Sequence, residues 1–140
     1  MTKEKPSDRI FVEDRVIEQF RSLTAQTTKN SAVLHQPFLE LKDAFLWAVA
    51  MGVKYGKRRP LEGKREGLFL WVRIDHDTEL PCLKMIALSE TEDIHVLTDI
   101  QQIQQIAEEY ANEGIRIIKE RLVDKPGDPL FNLVEIIEEI

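Results

Sequence analysis

Asp75-His76-Asp77 places three metal-ligand side chains in a row, which makes this segment the first candidate for a chemical site. Adjacent residues rarely direct their side chains at one ion, so a metal site here would need a distant ligand such as Glu90 or His95. A turn followed by a helix cap is the simpler interpretation, because aspartate favours both positions. We therefore expect neither a metal nor a cofactor.

The other nucleophiles, acids and bases form no recognisable catalytic set. The single cysteine, Cys82, falls on the predicted inner face of a helix, where a buried core thiol is expected, and no spacing selects a pairing with His76 or His95. A hydrolase or nuclease subunit would need such groups to converge in a pocket, so we predict that the protein is not an enzyme. The remaining isolated candidates are His35 and the consecutive pairs Glu108-Glu109 and Glu138-Glu139. We expect the two glutamate pairs on exposed helix faces.

A run of positive charge is a stronger signal. Residues 54–65, here called the basic segment, carry six lysines and arginines in a chain whose formal net charge is −6. Such side chains can bind an acidic protein or neutralise nucleic-acid phosphates, with Tyr55 stacking on a base, and of these two we slightly favour the protein. A solvated loop that Glu62 and Glu66 or glutamates of a long helix partly neutralise carries as much weight as the two binding interpretations together. The candidate binding residues are Lys54, Tyr55, Lys57, Arg58, Arg59, Lys64 and Arg65, with Trp71 as a further partner contact.

Two helices must position the basic segment. An apolar run at residues 44–53 predicts a central helix over about residues 40–55, and a second helix is predicted over about residues 99–122. Each helix carries small side chains at a spacing that puts them on one side, where another backbone can approach closely. We predict that the two helices cross there, and that the second helix continues across its glycine. The small residues are Ala44, Ala48, Gly52 and Gly56 on the first helix and Ala107, Ala111 and Gly114 on the second.

Three more helices complete a mainly α bundle of about five helices. The first is predicted from Ser7 or Asp8 to about Leu23, the next over residues 79–89, and the last from Pro129 to the end of the chain. A Thr98 to Gln101 capping box is expected to open the long helix. The predicted apolar stripes are Val12, Val16, Phe20 and Leu23; Leu80, Leu83, Ile86 and Ala87; and Leu130, Leu133, Val134, Ile137 and Ile140.

Residues 68–74 are the hardest segment to assign. Their β-branched and aromatic content suits one short strand, but no second strand is evident to pair with it, and an isolated strand is unstable. We therefore predict irregular structure or one short β segment. Trp71 and Trp47 are expected in the core.

Length and composition bound the class of protein. A chain of 140 residues with 43% hydrophobic and 31% charged residues suits one globular domain, which we assign to residues 8–140 after a flexible arm at residues 1–7. One cysteine and the absence of an apolar signal core predict a cytoplasmic protein, and the ten-residue apolar run is too short for a membrane span. The acidic net charge argues against nucleic-acid binding over the whole surface but allows a local patch.

Three stretches together resemble the DNA phosphorothioation-associated protein 4 family (dnd system-associated protein 4). They are Pro37-Phe38 with Lys42-Asp43-Ala44-Phe45 and residues 48–61, residues 86–97, and residues 107–114, and the resemblance covers about residues 37–122. It implies a bacterial accessory protein encoded beside genes for DNA sulfur modification and its linked restriction, in defence against foreign DNA. It implies no catalytic residues, and it favours contact of the basic segment with DNA or with a DNA-bound partner. A DNA-binding regulator of the same operon is the alternative, and it would need a second basic helix.

Overall fold

A computed structural model describes residues 5–24, 38–124 and 126–139. Within them the fold is mainly α, as predicted, with five α-helices and a two-stranded antiparallel sheet. The elements are β1 (Arg9–Glu13), α1 (Ile17–Ser22), α2 (Leu41–Tyr55), β2 (Arg65–Leu70), α3 (Glu79–Thr91), α4 (Ile100–Ile118) and α5 (Pro129–Glu138). Short 3₁₀ turns lie at Asp14–Val16, Trp71–Arg73 and Ile94–Thr98, and a π-helical turn lies at Lys119–Val123. In the described part of the chain, no helix has the length and apolar character to cross a membrane.

The crossing of α2 and α4 is the centre of the fold. A methyl group added at Gly52 would lie 2.1 Å from the backbone oxygen of Tyr110, and one added at Gly114 would lie 1.6 Å from the backbone oxygen of Ala48. Both distances are far inside van der Waals contact, so the two backbones approach as closely as they do only because these residues are glycines. The predicted crossing of two small-residue surfaces is confirmed, and α4 runs through Gly114 without a break.

The N-terminal segment differs from the prediction. Residues 9–13 form β1 instead of a helix, and the helix α1 begins only at Ile17. β1 pairs antiparallel with β2, with a register shift between Ile10 and Phe11, so it is the partner strand that local patterns did not reveal. Val12 fits both an alternating strand pattern with Ile10 and a helical pattern with Val16, and a distant strand decided between them.

Helix α5 is rotated relative to the predicted stripe. Leu133 and Ile136 are buried, whereas Val134 and Ile137 are 43% and 47% exposed. The buried Asn132 explains the rotation, because its Nδ2 donates a hydrogen bond to the backbone oxygen of Leu122, 3.1 Å away, and so turns this face inward.

Smaller differences concern helix ends. The N-cap of α4 is Asp99, whose carboxylate accepts the N–H of Gln102 at 3.2 Å, and Thr98 closes the preceding 3₁₀ turn. His35 and Ile140 lie outside the described residues, as do residues 1–4 of the predicted arm. The division into an arm and a domain therefore stays a prediction.

Candidate functional site

The basic segment links α2 to β2. Lys54 and Tyr55 form the last turn of α2, which ends where the N–H of Gly56 donates to the oxygen of Gly52 at 3.1 Å. Arg65 begins β2. The intervening residues pass along α4, where the N–H of Arg59 donates to the backbone oxygen of Glu109 at 3.0 Å.

The two central arginines of the segment form ion pairs with the helices beneath them. Arg58 Nε lies 2.8 Å from a carboxylate oxygen of Glu90 on α3, and its Nη1 lies 3.7 Å from one of Glu109 on α4. Arg59 Nε lies 3.4 Å from a carboxylate oxygen of Glu113 on α4. Helix glutamates therefore partly neutralise Arg58 and Arg59, as one of the interpretations above expected. Both side chains remain partly exposed, and their role in binding stays a prediction.

A buried polar cluster fixes the backbone of the basic segment. Glu13, at 1% exposure, accepts the N–H of Glu62 at 2.8 Å and the side-chain amide of Asn112 at 3.0 Å, and it pairs with Arg15 Nε at 2.6 Å. The same amide nitrogen of Asn112 lies within hydrogen-bonding distance of the backbone oxygens of residues 59 and 60. Burial by itself would raise the pKa of Glu13, but these donors stabilise the carboxylate and hold its pKa below the usual value. The segment is thus tied to β1 and α4.

The apolar periodicity of the chain does not predict this polar cluster, although α4 carries a signal for it. Gln104, Glu108 and Asn112 are four residues apart, so they share one helix face, and all three are buried. Gln104 exchanges two hydrogen bonds with the backbone of Ser7, at 3.0 and 2.7 Å. Regular burial of polar side chains on one face indicates that a neighbouring backbone needs hydrogen-bond partners there.

Glu108 belongs to this face, so its expected place on an exposed face is wrong. It is 8% exposed and accepts the N–H of Phe11 at 2.6 Å, beside the register shift between β1 and β2. Burial raises the pKa of Glu108 to about 7, although that hydrogen bond and nearby Arg65 oppose the rise. Glu138, in contrast, is exposed as predicted.

The Asp75-His76-Asp77 segment is a turn, as predicted. A carboxylate oxygen of Asp75 accepts the N–H groups of Asp77 at 2.8 Å and Thr78 at 2.9 Å, and these bonds lower the pKa of Asp75. His76 and His95 are exposed. No group of three His, Cys, Asp or Glu side chains within the described ranges is arranged to hold a metal ion.

The expected burial of Cys82 is wrong. Its side chain is exposed on α3, with Sγ 3.3 Å from the backbone oxygen of Thr78. The inner face of α3 is formed by Leu80, Leu83 and Ala87, and Cys82 follows Leu80 by two positions, which turns it away from that face.

The aromatic candidates are largely engaged within the protein. Trp71 packs against the core and is only partly exposed. The rings of Phe69 and Phe45 pack edge to face, with their centroids 5.4 Å apart. Tyr55 is 42% exposed, but the guanidinium of Arg121 lies 5.2 Å from its ring centroid. A base stacking on Tyr55 would have to displace Arg121.

The remaining cations of the basic segment are exposed. They are Lys54, Lys57, Lys64 and Arg65, and none of them forms an ion pair with another residue that the structure describes. Lys54 Nζ lies 5.2 Å from the ring centroid of Tyr55, and Arg65 attracts the carboxylate of Glu108. Glu13 and Asn112 hold the backbone at residues 59, 60 and 62, between Lys57 and Lys64.

Of the comparisons with known proteins, the one with family models found a match. No curated protein and no solved structure shows significant similarity to the chain. The sequence model of the family described as DNA sulphur modification system-associated protein 4 matches residues 15–139, which include the basic segment and every helix from α1 to α5. The chain therefore belongs to the DNA sulphur modification system-associated protein 4 family.

Proposed function

We propose that this protein is a non-catalytic adaptor of the DNA sulphur modification system, acting in the cytoplasm, and that it binds an acidic surface of a protein partner through the basic segment. The observation that carries the proposal is the support beneath that segment. The buried carboxylate of Glu13 and the buried amide of Asn112 hold its backbone in place. A surface fixed in this way loses little conformational entropy when a partner binds, which favours affinity.

Charge distribution favours a protein partner over DNA. Glutamates of α3 and α4 already pair with Arg58 and Arg59, so the strongest phosphate-binding side chains of the segment are partly neutralised. The whole chain carries a net charge of −6, which repels a polyanion at long range. An acidic patch on a protein needs only local complementarity, which the exposed Lys54, Lys57, Lys64 and Arg65 provide.

The adaptor proposal can be tested by co-purification with the separately expressed protein components of the same modification system. We expect one component to co-purify with the wild-type chain, and the charge reversals Lys57→Glu and Lys64→Glu each to weaken the complex by roughly tenfold, in the range of close charge-pair couplings. Lys84→Glu on α3 is the matched control and should leave binding unchanged. If every component fails to bind, or if all three variants bind as the wild type does, the proposed surface is wrong.

Direct DNA binding is the second candidate, since exposed cations remain on the segment. It predicts that affinity for a short duplex falls steeply as salt rises, because phosphate contacts release counterions. A flat salt dependence, or equal affinity for the wild type and Lys57→Glu, would exclude it.

A further inference from the structure

A cleft of about 390 Å³ lies beside the basic segment. Its walls come from the 3₁₀ turn after β1, from helix α1, from the C-terminal half of α4 and from the π-helical turn that follows α4. Four cationic side chains from these separate parts of the chain line it. They are Arg15, Arg59, Arg116 and Lys119.

We propose that this cleft binds a phosphate group. The arginines keep most of their hydrogen-bond donors available for it: Arg15 uses Nε for Glu13, and Arg59 uses Nε for Glu113. Arg116 lies 3.8 Å from Glu113 through a single Nη. A guanidinium has five N–H donors in a planar fork that matches phosphate oxygens, so several remain on each arginine after these ion pairs.

Four carboxylates balance the four cations, so a phosphate is held by hydrogen-bond donors and not by an excess of positive charge. Glu13, Glu120 and Asp124 line the cleft, and Glu113 pairs with Arg59 and Arg116. Glu13 is 1% exposed, and its two oxygens are already occupied by Arg15, Asn112 and the N–H of Glu62. Glu120 and Asp124 are exposed to solvent, which screens their repulsion of a ligand held by the arginines.

An unsatisfied polar group on the wall of the cleft gives independent support. Gln19 lines the cleft, and its Oε1 is buried without a hydrogen-bond partner, the one such side-chain atom among the residues described. A buried amide oxygen without a donor is costly, and such groups are rare in folded proteins. Because this oxygen is shielded from solvent, the Gln19 side chain has to rotate into the cleft before its amide can donate to a phosphate oxygen.

The phosphate can come from a small phosphorylated molecule or from a nucleic-acid backbone, and the cleft itself has the same chemistry for both. Arg59 belongs to the basic segment, but none of the four exposed cations that form the proposed docking surface lines the cleft, and Arg15, Gln19, Arg116 and Lys119 lie outside the segment. A failure of the adaptor proposal would therefore leave it standing, and the reverse also holds.

The test is an NMR titration that follows the Nε–H signals of the arginines in the full chain. The probes are inorganic phosphate, a nucleoside monophosphate and a short duplex without terminal phosphates, each compared with sodium chloride at equal ionic strength. We expect phosphate or one of its esters to shift the signals of Arg15 and Arg59 with a Kd below about 1 mM, and chloride to leave them unchanged. A response to the monophosphate alone identifies a small-molecule ligand, and a response to the duplex identifies a nucleic-acid backbone.

Variants locate the binding in the cleft. Arg116→Ala and Lys119→Ala should each weaken binding at least about tenfold, since hydrogen bonds to charged groups are involved. Gln19→Leu should weaken binding about fivefold while leaving the fold intact, because it also removes the buried unsatisfied oxygen. Lys84→Ala is the control and should bind as the wild type does. Shifts that chloride reproduces, shifts that persist unchanged in Arg116→Ala and Lys119→Ala, or no response to any of the three probes would each overturn the inference.

Discussion

Replacing Gly114 by alanine tests the close crossing of α2 and α4 on which the fold depends. The new methyl carbon would lie 1.6 Å from the backbone oxygen of Ala48, and real contacts of this kind do not fall under 3.0 Å. The helices would therefore have to separate by at least about 1.4 Å, the difference of those two distances. A gap of 0.5–1 Å already forfeits roughly a quarter to a half of the dispersion energy between packed atoms.

The expected cost follows from two opposing effects. Alanine favours a helix interior over glycine by about 1 kcal/mol, which stabilises the variant. Overpacking costs typically 1–3 kcal/mol and more when backbone must move, and here the clash is with backbone. We expect a net loss of about 2 kcal/mol or more in the free energy of unfolding, which is the upper end of the overpacking range less the gain in helix propensity, out of a total of roughly 5–15 kcal/mol.

The assay is urea unfolding followed by far-UV circular dichroism. Gly56→Ala is the matched control: its methyl would meet the flexible side chain of Glu113 at 2.6 Å, and we expect it to change stability by less than about 1 kcal/mol. Adding Ala48→Gly should not rescue Gly114→Ala, because the clash is with the backbone oxygen of residue 48. If Gly114→Ala were as stable as Gly56→Ala, the two helices could not cross as closely as described.

Three further predictions concern polar groups. The pKa of Glu108 is about 7 in the folded protein against 4.5 in the unfolded chain, so its contribution to stability is fully present below pH 4.5 and is lost as pH rises through 7. Glu108→Gln should therefore have a free energy of unfolding about 3 kcal/mol above that of the wild type at pH 8 and little different at pH 4, measured by urea unfolding at each pH. Asn112→Ala removes one of the three donors of Glu13 and the amide that lies near the backbone oxygens of residues 59 and 60, so we expect a loss of about 2–4 kcal/mol and faster hydrogen exchange at the amide of Glu62; unchanged exchange there would contradict the anchoring role. Cys82 should react with a thiol reagent in the native protein as fast as in urea, and strong protection would mean that it is buried after all.

The sequence by itself determined the central packing of this protein. Ala48, Gly52 and Gly114 lie at helical spacing on two long apolar stripes, and both the period and the small size of side chains are local properties. Any helix that buries its stripe must bring these residues to the crossing, so the contact could be inferred without coordinates. The same holds for the turn at Asp75, whose hydrogen bonds reach only two and three residues along the chain.

Only the tertiary structure decided how the rest of the chain meets this core. Residues 9–13 became a strand because residues 65–70, far along the chain, offered a free backbone edge. Glu13, Glu108 and Asn112 are buried because that strand and the basic segment bring unpaired backbone groups against α4. Periodicity records which residues share a face, but it does not record which distant backbone lies against that face. For a polar side chain, burial is favourable only where that backbone supplies hydrogen-bond partners.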